Sequence, residues 1–234
     1  MNDTITSSPQ IKAVVFDMAG TTIDEGKTVY ECVRLTLEQF GLTYSLEEVM
    51  RRVGGMNKKE GIRELMELKL GKIENEKAEE AAEIFRNMVE EAYRTSRKVR
   101  EMPGASELFS HLQKNNIKVV LDTGYIRSTA DLLIDKMGWR DKKLIDFSVT
   151  SDEVSQGRPA PLMIERALKH LNIESAGDII KVGDTRTDVE EGINAGCKYI
   201  VGIISNQYTK DDLLAMGATH AISSLEELKA IIAA

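Results

Sequence analysis

The sequence predicts an α/β fold: a doubly wound, Rossmann-like parallel-sheet core with an inserted all-helical cap domain. Three observations lead there. From Pro103 to the C-terminus, apolar runs of strand length alternate with segments of helical period, the pattern of a parallel sheet covered on both faces. A further apolar run, Ile11 to Phe16, stands far upstream of them. Everything between, residues 27–98, has helical period. The expected division is a core from residues 1–26 and 99–234, with a helical insert at 27–98.

Taken in order, the polar leader MNDTITSSPQ lacks an apolar centre and reads as a frayed tail rather than a signal peptide. Ile11, Ala13, Val14, Val15 and Phe16 form a buried strand that stops at Asp17, before the small pair Ala19-Gly20 and the hydroxyls of Thr21 and Thr22. In the insert, Val29, Cys32, Leu35, Leu37 and Phe40 recur at helical spacing until Gly41 ends the run. Ser45-Leu46-Glu47-Glu48 is a capping-box signature for a helix to about Arg52. Gly54-Gly55 breaks the chain. Lys58 to Leu70 resumes it, with Ile62, Leu65, Met66 and Leu68 as the apolar face, and Glu74 to about Lys98 is a long, charge-laced helix. The remaining strands are expected at Ile117–Leu121, Phe147–Thr150, Ile179–Val182, Tyr199–Ile204 and His220–Ile222. Helices between and after them begin near Pro103-Gly104, Ser128, Pro159, Asp188, Thr209 and Ser224.

Composition narrows the function. With 42% hydrophobic and 29% charged residues the chain is an ordinary globular protein, and its net charge of −7 argues against nucleic acid as a partner. No run approaches the ~18 apolar residues of a membrane span. Cys32 and Cys197 lie far apart without ligand-like spacing, which points to a reduced, cytoplasmic setting and to unreactive thiols. The histidines (His111, His170, His220) are dispersed and read as structural or exposed, and Trp139 as packing.

Function in an open parallel sheet gathers where strands end, and here the strand ends carry a consistent set. A carboxylate closing a buried strand is costly to desolvate unless a cation or donors meet it, which singles out Asp17. Asp122-Thr123-Gly124-Tyr125 offers a hydroxyl and a glycine suited to an oxyanion. Gly157-Arg158-Pro159 offers a guanidinium, and Gly183-Asp184-Thr185-Arg186-Thr187-Asp188 two acids four apart. Each has a plainer reading: Thr123-Gly124 as a turn, Arg158 as a surface residue, Asp184 and Asp188 as a loop acid and a helix N-cap. Their common position at strand ends outweighs those readings.

These four segments resemble the motifs of the haloacid-dehalogenase-like hydrolase superfamily, and FDMAGTT, TGY and GRP bring the chain closest to its phosphonatase-like members, the phosphonoacetaldehyde hydrolases. The resemblance implies cleavage of a small phosphonate or phosphorylated metabolite through an aspartyl-phosphate, with Mg²⁺. It makes Asp17 the nucleophile. It assigns the ion to the Asp17 carboxylate, the Ala19 carbonyl and Asp184, with waters completing an octahedron and Asp188 orienting one of them. Thr123, Gly124 and Arg158 would hold the phosphoryl oxygens, aided by the Gly20 or Thr21 amide. The insert would be a mobile cap that excludes water and carries specificity, and the resemblance extends to a homodimer through the cap helices.

Ala19 stands where ordinary relatives carry the acid that protonates a departing alkoxide, a contribution typically worth ~10²–10⁴ in rate. Either the chain is a weak phosphomonoesterase or its leaving group needs no proton there. A carbon leaving group stabilised as an enamine fits, and requires an imine-forming lysine. Aligning Gly55 and Ile62 with the family puts Lys58 at that place, and this alignment is preferred because it keeps Ile62 on the buried face; aligning Gly54 would put Asn57 there. Lys59 beside it would help keep the amine neutral, and the plain alternative is a solvated Lys-Lys pair. The family's Pro-Met pair is Val53-Gly54 here, and its histidine three after the lysine is Gly61. The competing readings are a plain phosphatase of the same superfamily, phosphoglycolate-phosphatase-like or acting on an activated phosphoester, and an inactive metabolite-binding protein.

Overall fold

The computed structural model describes residues 11–53 and 57–233, so the expectations for the leader and for the Gly54-Gly55 break lie outside the described residues. In chain order the elements are β1 (Ala13–Phe16), β2 (Ile23–Asp24), α1 (Thr28–Gln39), α2 (Leu46–Val53), α3 (Lys58–Leu70), α4 (Asn75–Thr95) and β3 (Arg100–Glu101). Then come α5 (Ala105–Lys114), β4 (Lys118–Thr123), α6 (Arg127–Lys136), β5 (Phe147–Thr150), α7 (Leu162–Leu171), β6 (Ile179–Gly183), α8 (Arg186–Ala195), β7 (Tyr199–Ile203), α9 (Lys210–Ala215), β8 (His220–Ile222) and α10 (Leu228–Ala233). The two-residue strands β2 and β3 are too short to show a period in sequence. The chain divides into two compact units, Met1–Asp24 with Glu101–Ala234, and Glu25–Arg100.

In the first unit six parallel strands run in the order β5-β4-β1-β6-β7-β8. The chain winds away from β1 in both directions, so the crevice at the strands' carboxyl ends opens between β1 and its neighbours. Phe16 lies opposite both Leu121 and Val182, which brings Asp17, Asp122-Thr123 and Gly183-Asp184 to one level. Val15 pairs with Val120 and Lys181. Paired residues of parallel strands project to the same face, and the period of two then puts Asp17 and Asp122 on the face that carries Lys181. Ala13, Val15, Val120, Val149 and Ile179 pack there on Met163, Ile164 and Ala167 of α7. Elsewhere in this unit Phe16 meets Phe109 with ring centroids 5.2 Å apart, and Phe109 meets Trp139 at 5.1 Å. Trp139 is fully buried and its Nε1 donates to Glu101 Oε2 at 3.0 Å, a packing residue as expected.

Two boundaries differ from expectation with consequences for the site. Strand β4 runs on through Asp122 and Thr123, because these pair with Val149 and Thr150 of β5. Helix α8 starts at Arg186 rather than Asp188. Thr185 is its N-cap, and Asp188, at the third helical position, completes a capping box by accepting from Thr185 N at 3.1 Å.

The second unit encloses its own core, which includes Val33, Leu37, Val49, Val53, Ile62, Leu65, Met66 and Ala81. The predicted capping box opens α2: Ser45 N donates to Glu48 Oε2 at 3.0 Å and Glu48 N to Ser45 Oγ at 3.1 Å. On α1 the buried stripe takes Val33 and Thr36 instead of Leu35 and Phe40. Leu68 is 55% exposed, since six residues on from Ile62 is about one-third of a turn off that residue's buried direction. A Cβ on Gly61 would lie 2.7 Å from Val53 Cγ1, so α3 approaches α2 only because position 61 has no side chain. Among the described residues, no helix is long and apolar enough to cross a membrane.

Candidate active site

Asp17, only 5% exposed, is fixed at the end of β1 by its own backbone, whose N–H donates to Val182 O at 2.9 Å. A tight turn follows. Thr22 Oγ1 donates to Asp17 O at 2.9 Å, Ile23 N donates to Met18 O at 2.8 Å, and Gly20 takes a φ of +90°. The Gly20 amide is engaged within this turn, donating to Ile23 O at 2.9 Å. The structure gives Gly20 another part than the expected phosphate contact: a Cβ there would lie 2.4 Å from Asp184 Oδ2. Thr21 likewise serves the acid, its Oγ1 donating to Asp184 Oδ1 at 3.2 Å. Ala19 forms an isolated bridge with Ile23 and offers no side-chain acid.

Arg158 ties the constellation together. Its Nη2 is 2.8 Å from Asp17 Oδ1, and its Nη1 pairs with Asp188 Oδ1. Gly124 lies against it, a Cβ there falling 3.7 Å from Arg158 Nη2. Thr123 is buried, with its Oγ1 accepting from Tyr125 N at 3.2 Å. Arg158 is thus no surface residue. Asp188 is fully engaged: besides Arg158, its Oδ1 has the Lys181 ammonium at 3.3 Å, and its Oδ2 takes Thr185 N and Oγ1. Gly183 permits that packing, because a Cβ on it would sit 2.2 Å from Asp188 Cβ.

Carboxylate oxygens of Asp17, Asp184 and Asp188 lie within 4.8 Å of one another. Burial pushes Asp17 up to about 7 against the opposing pull of Arg158. Burial, with Asp17 and Asp188 alongside, carries Asp184 well above the usual carboxylate range. Burial acts the same way on Asp188, but Arg158 and Lys181 outweigh it and hold that acid low. A surplus of buried hard oxygen donors is what Mg²⁺ requires, so the donor set fits the ion. Of the three acids, Asp188 has both oxygens already engaged, by Arg158 and Lys181 on one side and Thr185 on the other.

A second carboxylate trio, Asp122, Asp188 and Glu191, already contains a cation. The Lys181 ammonium is 1% exposed, pairs with Asp122 Oδ1, and lies 2.8 Å from Glu191 Oε2. Burial lowers its affinity for a proton, but the three acids more than restore it and keep Lys181 charged. Burial and the adjacent Asp122 push Glu191 well above its ordinary value. The sequence reading gives Lys181 and Glu191 no part, and Asp122 only a place beside Thr123. The available signal was a lysine inside the otherwise apolar Ile179–Val182, since a charge in a strand covered on both faces must find partners.

Lys58 belongs to the helical unit and opens α3. Its Nζ donates to Val53 O at 3.2 Å and lies 5.3 Å from the centroid of the Tyr30 ring. Asn57 is the N-cap, its side chain accepting from Lys59 N at 3.0 Å and Glu60 N at 3.3 Å, so its amide has a structural task. Lys59 is turned to Glu79, with Nζ and Oε1 2.5 Å apart. Both cysteines are pushed up by burial, Cys32 to about 11 and Cys197 to about 12, in keeping with unreactive thiols.

Residues 14–202 match the family model described as haloacid dehalogenase-like hydrolase, and the chain belongs to that family. It is a hydrolase homologous, at modest identity, to phosphonatases. It is 34% identical over 203 residues to the bifunctional phosphonoacetaldehyde hydrolase/aminoethylphosphonate transaminase of Clostridioides difficile, covering 80% of this chain and 30% of that protein. It is 31% identical over 212 residues to the phosphonoacetaldehyde hydrolase of Bacillus cereus, covering 83% and 76% respectively. In fold it is similar to the crystal structure of a phosphonoacetaldehyde hydrolase-like protein from Oleispira antarctica, with a TM-score of 0.84, 23% identity, and 97% and 92% of the two chains covered.

Proposed function

We propose that the chain is a Mg²⁺-dependent, phosphonatase-like hydrolase that releases inorganic phosphate from a small phosphonate or phosphorylated metabolite through an aspartyl-phosphate on Asp17. The observation that carries this is the buried Asp17 carboxylate, held 2.8 Å from Arg158 and crowded by Asp184, with Ala19 where an alkoxide-protonating acid would stand.

In this reading Arg158, Thr123 and Gly124 receive the phosphoryl oxygens and balance charge in a loose transition state. Asp17, Asp184 and the Ala19 carbonyl would hold Mg²⁺, with Asp188 one layer back. When bound, the ion supplies positive charge that lets a carboxylate approach an anionic phosphoryl group. Asp17 Oδ bonds to phosphorus as the leaving group departs with the electron pair of the broken bond. Water then attacks the aspartyl-phosphate, frees inorganic phosphate and restores the carboxylate. Because Ala19 gives no proton, the departing group must need none. In the phosphonate route Lys58 condenses with the substrate aldehyde, and the carbon leaves as an enamine. The enamine is protonated and hydrolysed, which returns Lys58.

A second reading, hydrolysis of an activated phosphoester without the imine, is favoured by Gly61. The family's histidine cannot be restored there while α3 lies against Val53. The test is to incubate the protein with Mg²⁺ and either phosphonoacetaldehyde or p-nitrophenyl phosphate, with and without borohydride. The proposal expects phosphate and acetaldehyde from the phosphonate, and borohydride inactivation that maps to Lys58. Phosphate from the ester alone, without trapping, replaces it by the second reading. No phosphate from either compound overturns both.

A further inference from the structure

We propose that Lys181 is a positioning residue for Arg158, acting through the carboxylate they share, Asp188 Oδ1. The inference rests on the hydrolase reading above and deepens it. Lysine carries three donors, and three acids surround this one: Asp122 Oδ1 in direct pairing, Glu191 Oε2 at 2.8 Å and Asp188 Oδ1 at 3.3 Å. The ammonium is 1% exposed and its three partners are 0–1% exposed, so water does not share in the arrangement. Asp122 comes from β4, Lys181 from β6, and Asp188 and Glu191 from α8. The ammonium therefore joins the two strands flanking β1 to the helix that carries Asp188.

Packing alone does not account for a charge here. Ile179, Ile180, Val182 and Gly183 make up the rest of the strand, and an apolar side chain at 181 would avoid desolvating an ammonium and its partners. What the charge accomplishes is visible at Asp188. Two cations divide one oxygen, so Arg158 is not drawn wholly to Asp188, and its second nitrogen stays on Asp17 at 2.8 Å. Without Lys181, Asp188 would have Arg158 as its one cationic partner among the described residues. The guanidinium would then shift toward it, away from the place where a phosphoryl group must be met. The ammonium also fills the Asp122–Asp188–Glu191 trio, which leaves Asp17 and Asp184 as the oxygens open to a metal.

The variants are Lys181→Met, which deprives Asp122 of its cation and is expected to be poorly stable, and the double variant Lys181→Met with Asp122→Asn, which removes both charges together. Calorimetry with MgCl₂ and with inorganic phosphate is compared with p-nitrophenyl phosphate turnover and the melting temperature. In the double variant we expect Mg²⁺ affinity within about threefold of wild type, phosphate affinity at least about tenfold weaker and kcat lower by about 10–100-fold. Unchanged phosphate binding and turnover in a folded double variant overturn the inference. So does a parallel loss of Mg²⁺ and phosphate binding that tracks melting temperature, the mark of a merely structural residue. Wild-type protein that neither binds phosphate with Mg²⁺ nor hydrolyses the ester overturns the functional reading, and this inference with it.

Discussion

Asp17 and Lys58, on which the proposed chemistry turns, are held in contrasting ways. Asp17 sits among buried charges whose positions are over-determined: Arg158 bridges it to Asp188, Lys181 braces Asp188, and Thr21 holds Asp184. Lys58 opens a helix whose N-cap is exposed, and reaches back to a backbone carbonyl at 3.2 Å and toward the Tyr30 ring. The difference teaches where this chain invests rigidity. Charge that must stabilise a transition state gains from fixed partners in a dry site. The amine proposed to meet the substrate sits instead on the helical unit, at the start of α3.

The contrast makes ordered predictions. Asp17→Asn should lower phosphate release by about a thousandfold or more, with melting temperature in chelator little changed below pH 7, where burial keeps the acid it replaces largely protonated. Retained turnover would remove the nucleophile. Lys58→Ala should lower phosphonoacetaldehyde cleavage by about 10²-fold or more and abolish borohydride trapping, while calorimetric Mg²⁺ binding stays unchanged. Undiminished cleavage would erase the chemical half of the comparison. Gly183→Ala forces a Cβ against Asp188 and should cost roughly 1–3 kcal/mol in denaturant unfolding, with a loss of activity.

A smaller effect follows from the raised acids. Unfolded Asp17 ionises near 3.8, whereas the metal-free folded state holds its proton to about 7. Between those values the folded state binds the extra proton, so Asp17's contribution to stability declines as pH rises through that window. Mg²⁺ favours the carboxylates, so adding it near pH 7 should release protons and raise the melting temperature, and calorimetry in buffers of different ionisation enthalpy measures the release. Least of all, Asn57→Ala should cost roughly 1 kcal/mol by removing the cap of α3, seen as a lower melting temperature.

Much of the core was legible because its signals are local. Each strand is a run of apolar residues, each helix a period, and Asp17, Thr123 and Asp184 fall where those runs end, with Arg158 and Asp188 in the segments that follow. The boundaries that shifted are those where pairing across the sheet overrode local pattern, as when Thr150 kept Thr123 within β4. Asp188 looked like an N-cap and is one partner of a capping box whose N-cap is Thr185. One carboxylate serves the helix end and the site, and spacing alone does not separate those tasks.

The sequence by itself determined the class of fold, the membership of the family and the set of groups that gather at the carboxyl ends of β1, β4 and β6, because period and strand length are properties of short segments. Only the tertiary structure decided that Arg158 spans Asp17 and Asp188, that Lys181 fills the neighbouring carboxylate trio, and that Gly20 and Gly183 are needed for close approach. Those facts depend on the register between strands and on which face of the sheet α8 covers. Register couples residues more than a hundred positions apart, and no local pattern records it.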